Sequence, residues 1–396
     1  MKNSLTVITV LGKDRPGLVA DITKETAKIK GNIVDIEQSV IRGLFSMFML
    51  VDLKNATESY EEFSKRLNAL SKKLSVDITL SAYGKYEGEH APKKRELENI
   101  TIMGKDKPGI VAEISSALYD TGANIERIKM IARGDLLVME MTIDRKKKTD
   151  LQDMREKLRI AGERIGMDVV VQPESSARQR KRLVVFDMDS TIVDAEIIDE
   201  LAKAAGVGKE VADITAKGME GNLDFAQSLR DRVRLLKGLP IETLNAIRDN
   251  MKLTPGSEEL LRALKGMGFK LALISGGFTY FTDELKNKLG FDYAYANELV
   301  IKDGKISGEV TGQIIDSKKK ADIVQEIMKK EGLTKEEVVA VGDGANDRIM
   351  IKNAGLGIAF NAKEVLKKVA DGSITKNNLK GLIYCLGVND TTQEKE

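Results

Sequence analysis

The chain has 396 residues, of which 42% are hydrophobic and 31% are charged, and its net charge is +2. This length predicts roughly two or three domains, and the balanced charge gives no reason to expect a nucleic-acid or membrane partner. One cysteine, Cys385, and one histidine, His90, exclude an intrachain disulfide, a cysteine-based zinc cluster and a histidine-based triad. Catalysis must therefore use carboxylates, lysines and hydroxyls, and we expect a cytoplasmic protein.

A repeated pattern occupies the first part of the chain. The turn Gly12–Gly17 (GKDRPG) aligns with Gly104–Gly109 (GKDKPG), and Asn32 aligns with Asn124 at the same offset. Both copies predict the order strand, helix, strand, strand, helix, strand, which is the ferredoxin-like βαββαβ unit. In each turn the aspartate is suited to cap the following helix, and the proline suits its first turn.

These turns, together with the later Asn-Ile pair, resemble ACT domains, which are small amino-acid-binding regulatory modules. The resemblance implies association through the sheets, so we expect a homo-oligomer that binds an amino-acid effector. Helix N-termini offer free N–H groups to a carboxylate, and the candidate effector contacts are Asp14, Gly17, Asn32, Asp106, Gly109 and Asn124. The alternative is that the aspartates only cap helices and the glycines only form turns.

Two polar segments, 85–98 and 174–182, are predicted to be linkers. They delimit expected domains at 1–84, 99–173 and 183–390, followed by a disordered tail at 391–396. From Leu183 onward the pattern alternates strands with helices, which predicts a parallel sheet covered by helices on both faces. The predicted strands are Leu183–Phe186, Lys270–Ile274, Val338–Val341 and Leu356–Phe360.

Two aspartates follow the first of these strands, in Asp187-Met188-Asp189-Ser190-Thr191. In extended backbone, residues i and i+2 point to the same side, and ligands of open α/β sheets bind beyond the carboxyl ends of the strands. Asp187 and Asp189 would thus face one site and could share Mg²⁺, which prefers oxygen ligands. The alternative is a turn in which an aspartate caps the next helix.

Three further motifs follow predicted strands or begin a helix. Asp343, in Gly-Asp-Gly-Ala-Asn-Asp, adds a third carboxylate, and a buried cluster of three acids requires a cation; a helix-capping role is the alternative for Asp347. Ser275 and the N–H of Gly276 are placed to hold phosphate oxygens at a helix N-terminus, although Ser-Gly-Gly is more often only a turn. Lys320 is suited to neutralise phosphate and an attacking carboxylate, although a lysine alone is more often a surface charge.

In this order the four motifs resemble the haloacid dehalogenase superfamily, over residues 183 to about 388. The resemblance implies that Asp187 is the nucleophile and Asp189 the general acid-base. It implies a magnesium site made by Asp187, Asp343 and the backbone carbonyl of Asp189. The implied phosphate and substrate contacts are Ser275, Gly276, Lys320 and Asn346.

A charged helical segment at about 194–255 has the position of the small helical cap in this superfamily. Residues 194–196 and 219–233 are similar to the phosphoserine phosphatase family. That similarity implies that Glu196 contacts the substrate ammonium and Arg232 its carboxylate, while Met219 and Phe225 pack over the substrate. The alternative is that the two charged residues lie on the surface and that the two apolar residues belong to the core.

The combined resemblance implies hydrolysis of O-phospho-L-serine through an aspartyl phosphate, the last step of serine biosynthesis, with the product serine as ACT effector. One alternative is a phosphatase or phosphotransferase for another small phosphomonoester, such as phosphohomoserine. The other is an amino-acid-sensing regulatory protein with an inactive hydrolase domain, which the intact set Asp187, Asp189 and Asp343 argues against. Arg348 departs from the small or apolar residue that relatives often have there.

Overall fold

The computed structural model describes residues 5–85, 96–134, 136–145, 149–219, 224–375 and 378–386, without the side chains of residues 85, 178, 218 and 219. The predicted tail, 391–396, lies outside these residues. The chain divides into two compact units, Met1–Lys94 and Arg95–Glu396. Among the described helices, none is both long enough and apolar enough to cross a membrane.

The first unit has the predicted βαββαβ order. Its four strands form an antiparallel sheet in the order β2-β3-β1-β4. Alternate residues of β1, including Ile8 and Val10, are fully buried and belong to one core with Leu18 and Phe63 of the two helices, as the two-residue period of a strand dictates. The elements are β1 (Leu5–Lys13), α1 (Leu18–Lys28), β2 (Asn32–Ile41), β3 (Leu44–Asp52), α2 (Tyr60–Leu74) and β4 (Val76–Ala82).

The second unit begins with another βαββαβ module and continues into the α/β fold that carries the four predicted motifs, which is called the catalytic fold below. The module contains β5 (Leu97–Gly104), α3 (Ile110–Tyr119), β6 (Asn124–Ala132), β7 (Leu137–Asp144), α4 (Leu151–Ile165) and β8 (Met167–Pro173). The segment at 174–182, for which we predict a linker, includes a short helix, α5 (Glu174–Arg178).

The repeated turns do not cap their helices as predicted. The N-cap positions of α1 and α3 are occupied by Gly17 and Gly109, with φ of +94° and +93° and no side-chain cap. Asp106 instead accepts a hydrogen bond from Arg133 at 2.9 Å. Because glycine tolerates positive φ without steric cost, the glycine forms each helix start, and the capping role predicted for Asp14 and Asp106 is wrong.

Within the described residues the catalytic fold has seven strands, and five helices lie between the first two, of which the first four form the insertion. The strands are β9 (Leu183–Phe186), β10 (Lys270–Phe278), β11 (Tyr293–Lys302), β12 (Lys305–Thr311), β13 (Val338–Gly342), β14 (Leu356–Phe360) and β15 (Gly372–Ile374). The inserted helices are α6 (Ile197–Ala204), α7 (Gly208–Met219), α8 (Phe225–Leu235) and α9 (Ile241–Asp249). The others are α10 (Ser257–Gly266), α11 (Thr279–Leu289), α12 (Ser317–Glu331), α13 (Arg348–Asn353), α14 (Glu364–Lys367) and α15 (Leu382–Cys385).

One eleven-stranded sheet runs through the second unit in the order β12-β11-β10-β9-β13-β14-β15-β8-β5-β7-β6. Strands β9, β10, β11, β13, β14 and β15 are mutually parallel. Phe186 and Val185 lie in different hydrophobic clusters on opposite faces of this sheet, as expected when helices cover both sides. The predicted α/β class, with a parallel sheet, a helical cap and two ferredoxin-like modules, is confirmed.

The second βαββαβ module joins the catalytic sheet directly. Strand β8 pairs with β15 in the antiparallel direction, at Val170 opposite Gly372. A side chain on Gly372 would begin 2.5 Å from the Cα atom of Val170, so the close approach requires glycine at this position.

Candidate active site

The carboxyl ends of three neighbouring parallel strands meet at one edge of the catalytic sheet. Asp187 follows β9, Ser275 lies near the end of β10, and Asp343 follows β13. The inserted helices face this edge, and a cavity of about 570 Å³ lies between them and the strand ends. The structure therefore brings the four predicted motifs together, as the topology of an open α/β sheet requires.

Lys320 and two carboxylates form a buried ion-pair group at the base of the site. Its Nζ lies 2.8 Å from Asp187 Oδ1 and 2.7 Å from Asp347 Oδ1, and the lysine side chain is fully buried. Burial lowers the pKa of Lys320, but the charges of Asp187 and Asp347 outweigh that effect and raise it overall. The lysine therefore stays charged and holds Asp187, whose Oδ1 also accepts the N–H of Met188 at 2.7 Å.

Asp189, two residues further along the chain, is held by two hydrogen bonds. Its carboxylate accepts hydrogen bonds from Ser275 Oγ at 3.2 Å and from the N–H of Ile197, at the start of α6, at 2.9 Å. Burial, followed by the charges of Glu196 and Asp187, raises the pKa of Asp189 to about 8. A carboxyl group with such a pKa keeps its proton at neutral pH and can give it to a leaving group.

Three carboxylates lie close enough to share a cation. One oxygen of each of Asp187, Asp343 and Asp347 lies within 4.8 Å of the others. Burial and the charge of Asp187 raise the pKa of Asp343 to about 8 and that of Asp347 to about 7. A divalent cation would relieve this repulsion, and hard cations prefer oxygen ligands, so the residues fit such an ion. The carboxylate of Asp189 is outside this group, and the use of its backbone carbonyl stays a prediction.

The inserted helices contribute the far wall of the cavity. Glu196, Phe225 and Arg232 line it together with Asp199, for which the sequence suggested no role. Burial lowers the pKa of Arg232, while the charges of Asp199 and Glu196 oppose that shift. Arg232 thus places one cationic group, and Glu196 and Asp199 two anionic groups, on the cap side of the cavity. The side chain of Met219 lies outside the described part of the chain.

The loop that follows Ser275 approaches both the cap and Asp189 closely. A side chain on Gly276 would begin 3.0 Å from the ring of Phe225, and 3.7 Å from the amide nitrogen of Asn346. A side chain on Gly277 would begin 3.0 Å from the carboxylate of Asp189. A side chain at either position would therefore force the facing side chain to move by a few tenths of an ångström. Arg348 is exposed and is not among the residues that line the cavity.

Comparisons with known proteins give the chain its family. The model of haloacid dehalogenase-like hydrolases matches residues 181–355, and the ACT-domain model matches residues 4–81 and 99–172. A phosphoserine phosphatase of Archaeoglobus fulgidus is 50% identical over 343 residues, which are 87% of this chain and 97% of that protein. The chain belongs to the phosphoserine phosphatase family. The resemblances predicted from the motifs are confirmed.

Two further phosphoserine phosphatases are also similar to this chain. One, from Streptomyces coelicolor, is 35% identical over 400 residues, covering 98% of this chain and 93% of that protein. The other is a solved structure described as a phospho-aspartyl intermediate analogue of phosphoserine phosphatase. It is 48% identical with a TM-score of 0.50, and the match covers 52% of this chain and 99% of that chain. The solved structure thus corresponds to about half of this chain.

Asp347 and Asn297 are site residues whose roles the sequence did not reveal. Asp347 is fully buried and precedes α13, yet its side chain makes no cap bond to that helix and instead binds Lys320. Its position in the Gly-Asp-Gly-Ala-Asn-Asp motif could have indicated this role. Asn297 lies on β11, a strand that was not predicted, and donates to the carbonyl of Gly276 next to Ser275.

The predicted effector residues are divided between the two units. Asp14, Gly17 and Asn32 belong to the first unit, and Asp106, Gly109 and Asn124 belong to the second. In the second unit, Asp106 pairs with Arg133, and the Asn124 amide donates to Glu126 at 2.7 Å. Effector binding by either set stays a prediction.

Proposed function

We propose that this enzyme hydrolyses O-phospho-L-serine to L-serine and phosphate, the last step of serine biosynthesis. The observation that carries the proposal is the placement of Asp187, held by Lys320, beside Asp189, whose pKa is raised to about 8. This arrangement places a nucleophile that is paired with a lysine next to a protonated acid at one strand end. The family membership supports the same substrate, because the matched relatives bear the name phosphoserine phosphatase.

In the first step, the Asp187 carboxylate attacks phosphorus and the bond from phosphorus to the serine oxygen breaks. The electron pair stays on the serine oxygen, which takes the proton of Asp189, because an alkoxide is a poor leaving group. In the second step, ionised Asp189 takes a proton from water as the water oxygen attacks phosphorus, and the bond from phosphorus to the Asp187 oxygen breaks. Phosphate leaves, and both aspartates return to their starting states.

The remaining residues of the site hold the phosphate and the cation. We assign Ser275, the N–H of Gly276, Lys320 and Asn346 to the phosphate oxygens. Asp187, Asp343 and the backbone carbonyl of Asp189 would hold Mg²⁺, which offsets the repulsion between the dianionic substrate and the carboxylates when it is bound. Lys320 contributes to the same effect, since it is charged and within 2.8 Å of the nucleophile.

On the cap, Arg232 is assigned to the substrate carboxylate and Glu196 to its ammonium group. A guanidinium offers two parallel donors to a carboxylate, and both residues line the cavity opposite Asp187. Met219 and Phe225 are assigned to pack over the bound substrate. The only cysteine, Cys385, is buried and unpaired, as expected in a reducing compartment, so we place the enzyme in the cytoplasm.

The decisive experiment measures release of inorganic phosphate from phosphoserine and phosphohomoserine, with Mg²⁺ and after chelation. Magnesium-dependent turnover with phosphoserine preferred is expected. Asp187→Asn should abolish it in a folded protein, because an amide is a poor nucleophile. Substantial activity in Asp187→Asn would remove the aspartyl-phosphate mechanism. A preference for phosphohomoserine would favour the alternative substrate, and inactivity of the parent chain would favour the purely regulatory alternative.

We also propose that the two ACT modules bind an amino acid, with serine as the first candidate, and that the enzyme is a homo-oligomer. A double variant, Asp14→Ala with Asp106→Ala, alters both candidate turns without changing the cavity. If sensing occurs there, any serine response that is not competitive should disappear, while the uninhibited rate stays unchanged. Such coupling is typically about 1–3 kcal/mol. A response that persists in the double variant would place sensing elsewhere.

A further inference from the structure

Asn297 is a buried polar residue that the proposed reaction leaves without a role. It lies on β11, next to β10, and is 2% exposed. Its amide nitrogen donates to the carbonyls of Gly276 at 2.8 Å and Gly277 at 3.2 Å, and its oxygen accepts the N–H of Ile315 at 2.8 Å. Both donor hydrogens and the acceptor of this side chain are therefore used, which fixes its orientation.

The backbone around this contact explains why a side chain is needed. The pairing of β10 with β11 is regular to Ile274 and then shifts before Phe278, where Asn297 is the partner. The carbonyls of the intervening loop lose their regular ladder partners at that shift, and buried carbonyls need partners. The Asn297 amide donates the missing hydrogen bonds to the carbonyls of Gly276 and Gly277, in the loop that follows Ser275.

From this geometry we infer that Asn297 is a positioning residue for the general acid Asp189 as well as for the phosphate-binding loop. The inference rests on the proposed function. The carbonyl of Gly276 and the N–H of Gly277 belong to one planar peptide group, so the bond from Asn297 sets the direction of that N–H. The N–H donates to Ser275 Oγ at 2.8 Å. Ser275 Oγ then donates to Asp189 Oδ2 at 3.2 Å.

The direction of these bonds matters for proton transfer. Because the Ser275 oxygen already accepts from Gly277, its single hydrogen is directed away from that N–H and, before phosphate binds, toward the carboxylate of Asp189. Chains of hydrogen bonds in a buried site strengthen one another. Asn297 thus holds Asp189 in one orientation through two intermediates, without contacting the substrate.

The acceptor side of Asn297 links the same loop to Lys320. Ile315 directly precedes Asp316, which is the N-cap of α12 and accepts the N–H of Lys319 at 2.8 Å. Lys320 is the next residue of that helix. One side chain therefore connects the loop that carries Ser275 to the start of the helix that carries Lys320.

The test uses Asn297→Asp, which keeps the shape and the acceptor but removes both donors, and Asn297→Ala, which removes all three bonds. Each is assayed with phosphoserine and with p-nitrophenyl phosphate, whose leaving group departs without a proton. We expect kcat for phosphoserine to fall by about 100-fold, as misplacement of a catalytic group does. The fall in kcat with p-nitrophenyl phosphate should be at least about tenfold smaller. General acid catalysis increases the rate by roughly 10²–10⁴-fold only where the leaving group needs a proton.

Asn250→Asp is the matched control. The amide of Asn250 also donates to a backbone carbonyl, that of Ala246 at 2.8 Å, but this bond lies in the exposed C-terminal turn of α9. Asn250→Asp should leave both rates unchanged. An equal loss on both substrates in the Asn297 variants would reduce the residue to support of the phosphate loop and overturn the inference. Unchanged phosphoserine turnover, or failure of both variants to fold, would also overturn it.

Discussion

Lys320 is the residue on which the site's electrostatics depend. A fully buried ammonium group is unfavourable unless it is paired, and here it has two carboxylate partners at 2.7 and 2.8 Å. Only one of these, Asp187, is the nucleophile in the proposed reaction. Asp347 would therefore still pair with Lys320, and hold it in place, while Asp187 carries the phosphoryl group.

Replacing Lys320 by methionine should therefore affect stability and activity separately. Lys320→Met leaves buried carboxylates without their cation, which typically costs about 3–5 kcal/mol in the free energy of unfolding. Adding Asp347→Asn should recover part of that loss, because it removes one unpaired acid, but should restore no activity. Urea unfolding and phosphate release on the single and double variants would check both effects. Recovery of activity in the double variant would show that Lys320 acts only on Asp347.

Arg232 is expected to control the substrate and not the chemistry. Arg232→Ala should weaken turnover of phosphoserine far more than that of phosphoethanolamine, which has the ammonium group but no carboxylate. The lost charge-assisted pair should be worth roughly 2–5 kcal/mol in kcat/KM when desolvated. Arg234→Ala is the control, because Arg234 lies on the same helix but is 71% exposed. An equal loss on both substrates would make Arg232 a structural residue or a phosphate contact.

At the scale of elements, the strands that consist of continuous apolar runs could be predicted from the sequence. Strands β9 and β14 have the predicted bounds, and β10 and β13 extend only beyond their predicted ends, because buried parallel strands are apolar throughout. Strand β11 mixes exposed and buried residues, and β15 has only three residues, so neither has a clear pattern. The catalytic aspartates followed from the strand ends, but Asn297 could not, since its role depends on a shift in strand pairing.

The junction of β8 with β15 predicts a specific sensitivity at Gly372. In Gly372→Ala, the added carbon would meet backbone on the facing strand, 2.5 Å from Val170 Cα and 2.7 Å from the Val169 carbonyl oxygen. Backbone atoms cannot rotate away, so the free energy of unfolding should fall by about 1–3 kcal/mol. Gly266→Ala, which meets nothing within 4 Å, is the control and should be near neutral. Equal stability of the two variants in urea would contradict a tight junction.

At the scale of the molecule, the second ACT module is part of the catalytic unit. Met103 and Val170 share one hydrophobic cluster with Phe186. Polar contacts cross the junction as well: Asp168 accepts from Thr375 Oγ at 2.6 Å, Gln172 donates to the Cys385 carbonyl at 3.1 Å, and Arg155 pairs with Asp371 at 2.5 Å. The second ACT module and the catalytic fold therefore share one core, whereas the linker-like composition of residues 174–182 predicted two separate domains.

A comparison of three chains, 1–396, 96–396 and 181–396, tests this organisation. All four motifs and the cap lie after residue 181, and a solved phosphoserine phosphatase matches only 52% of this chain while the match covers 99% of its own length. We therefore expect all three chains to hydrolyse phosphoserine.

The shortest chain should nevertheless melt at least about 5 °C below the other two, since a loss of 1 kcal/mol in the free energy of unfolding lowers Tm by roughly 2–4 °C at this size. Truncation to 181–396 also removes Arg155, the ion-pair partner of Asp371. Burial already raises the pKa of that carboxyl group, and Arg155 opposes the shift. Equal Tm values for 96–396 and 181–396 would show that the module only rests against the catalytic sheet. An inactive but folded 181–396 would show that the module supports the site itself.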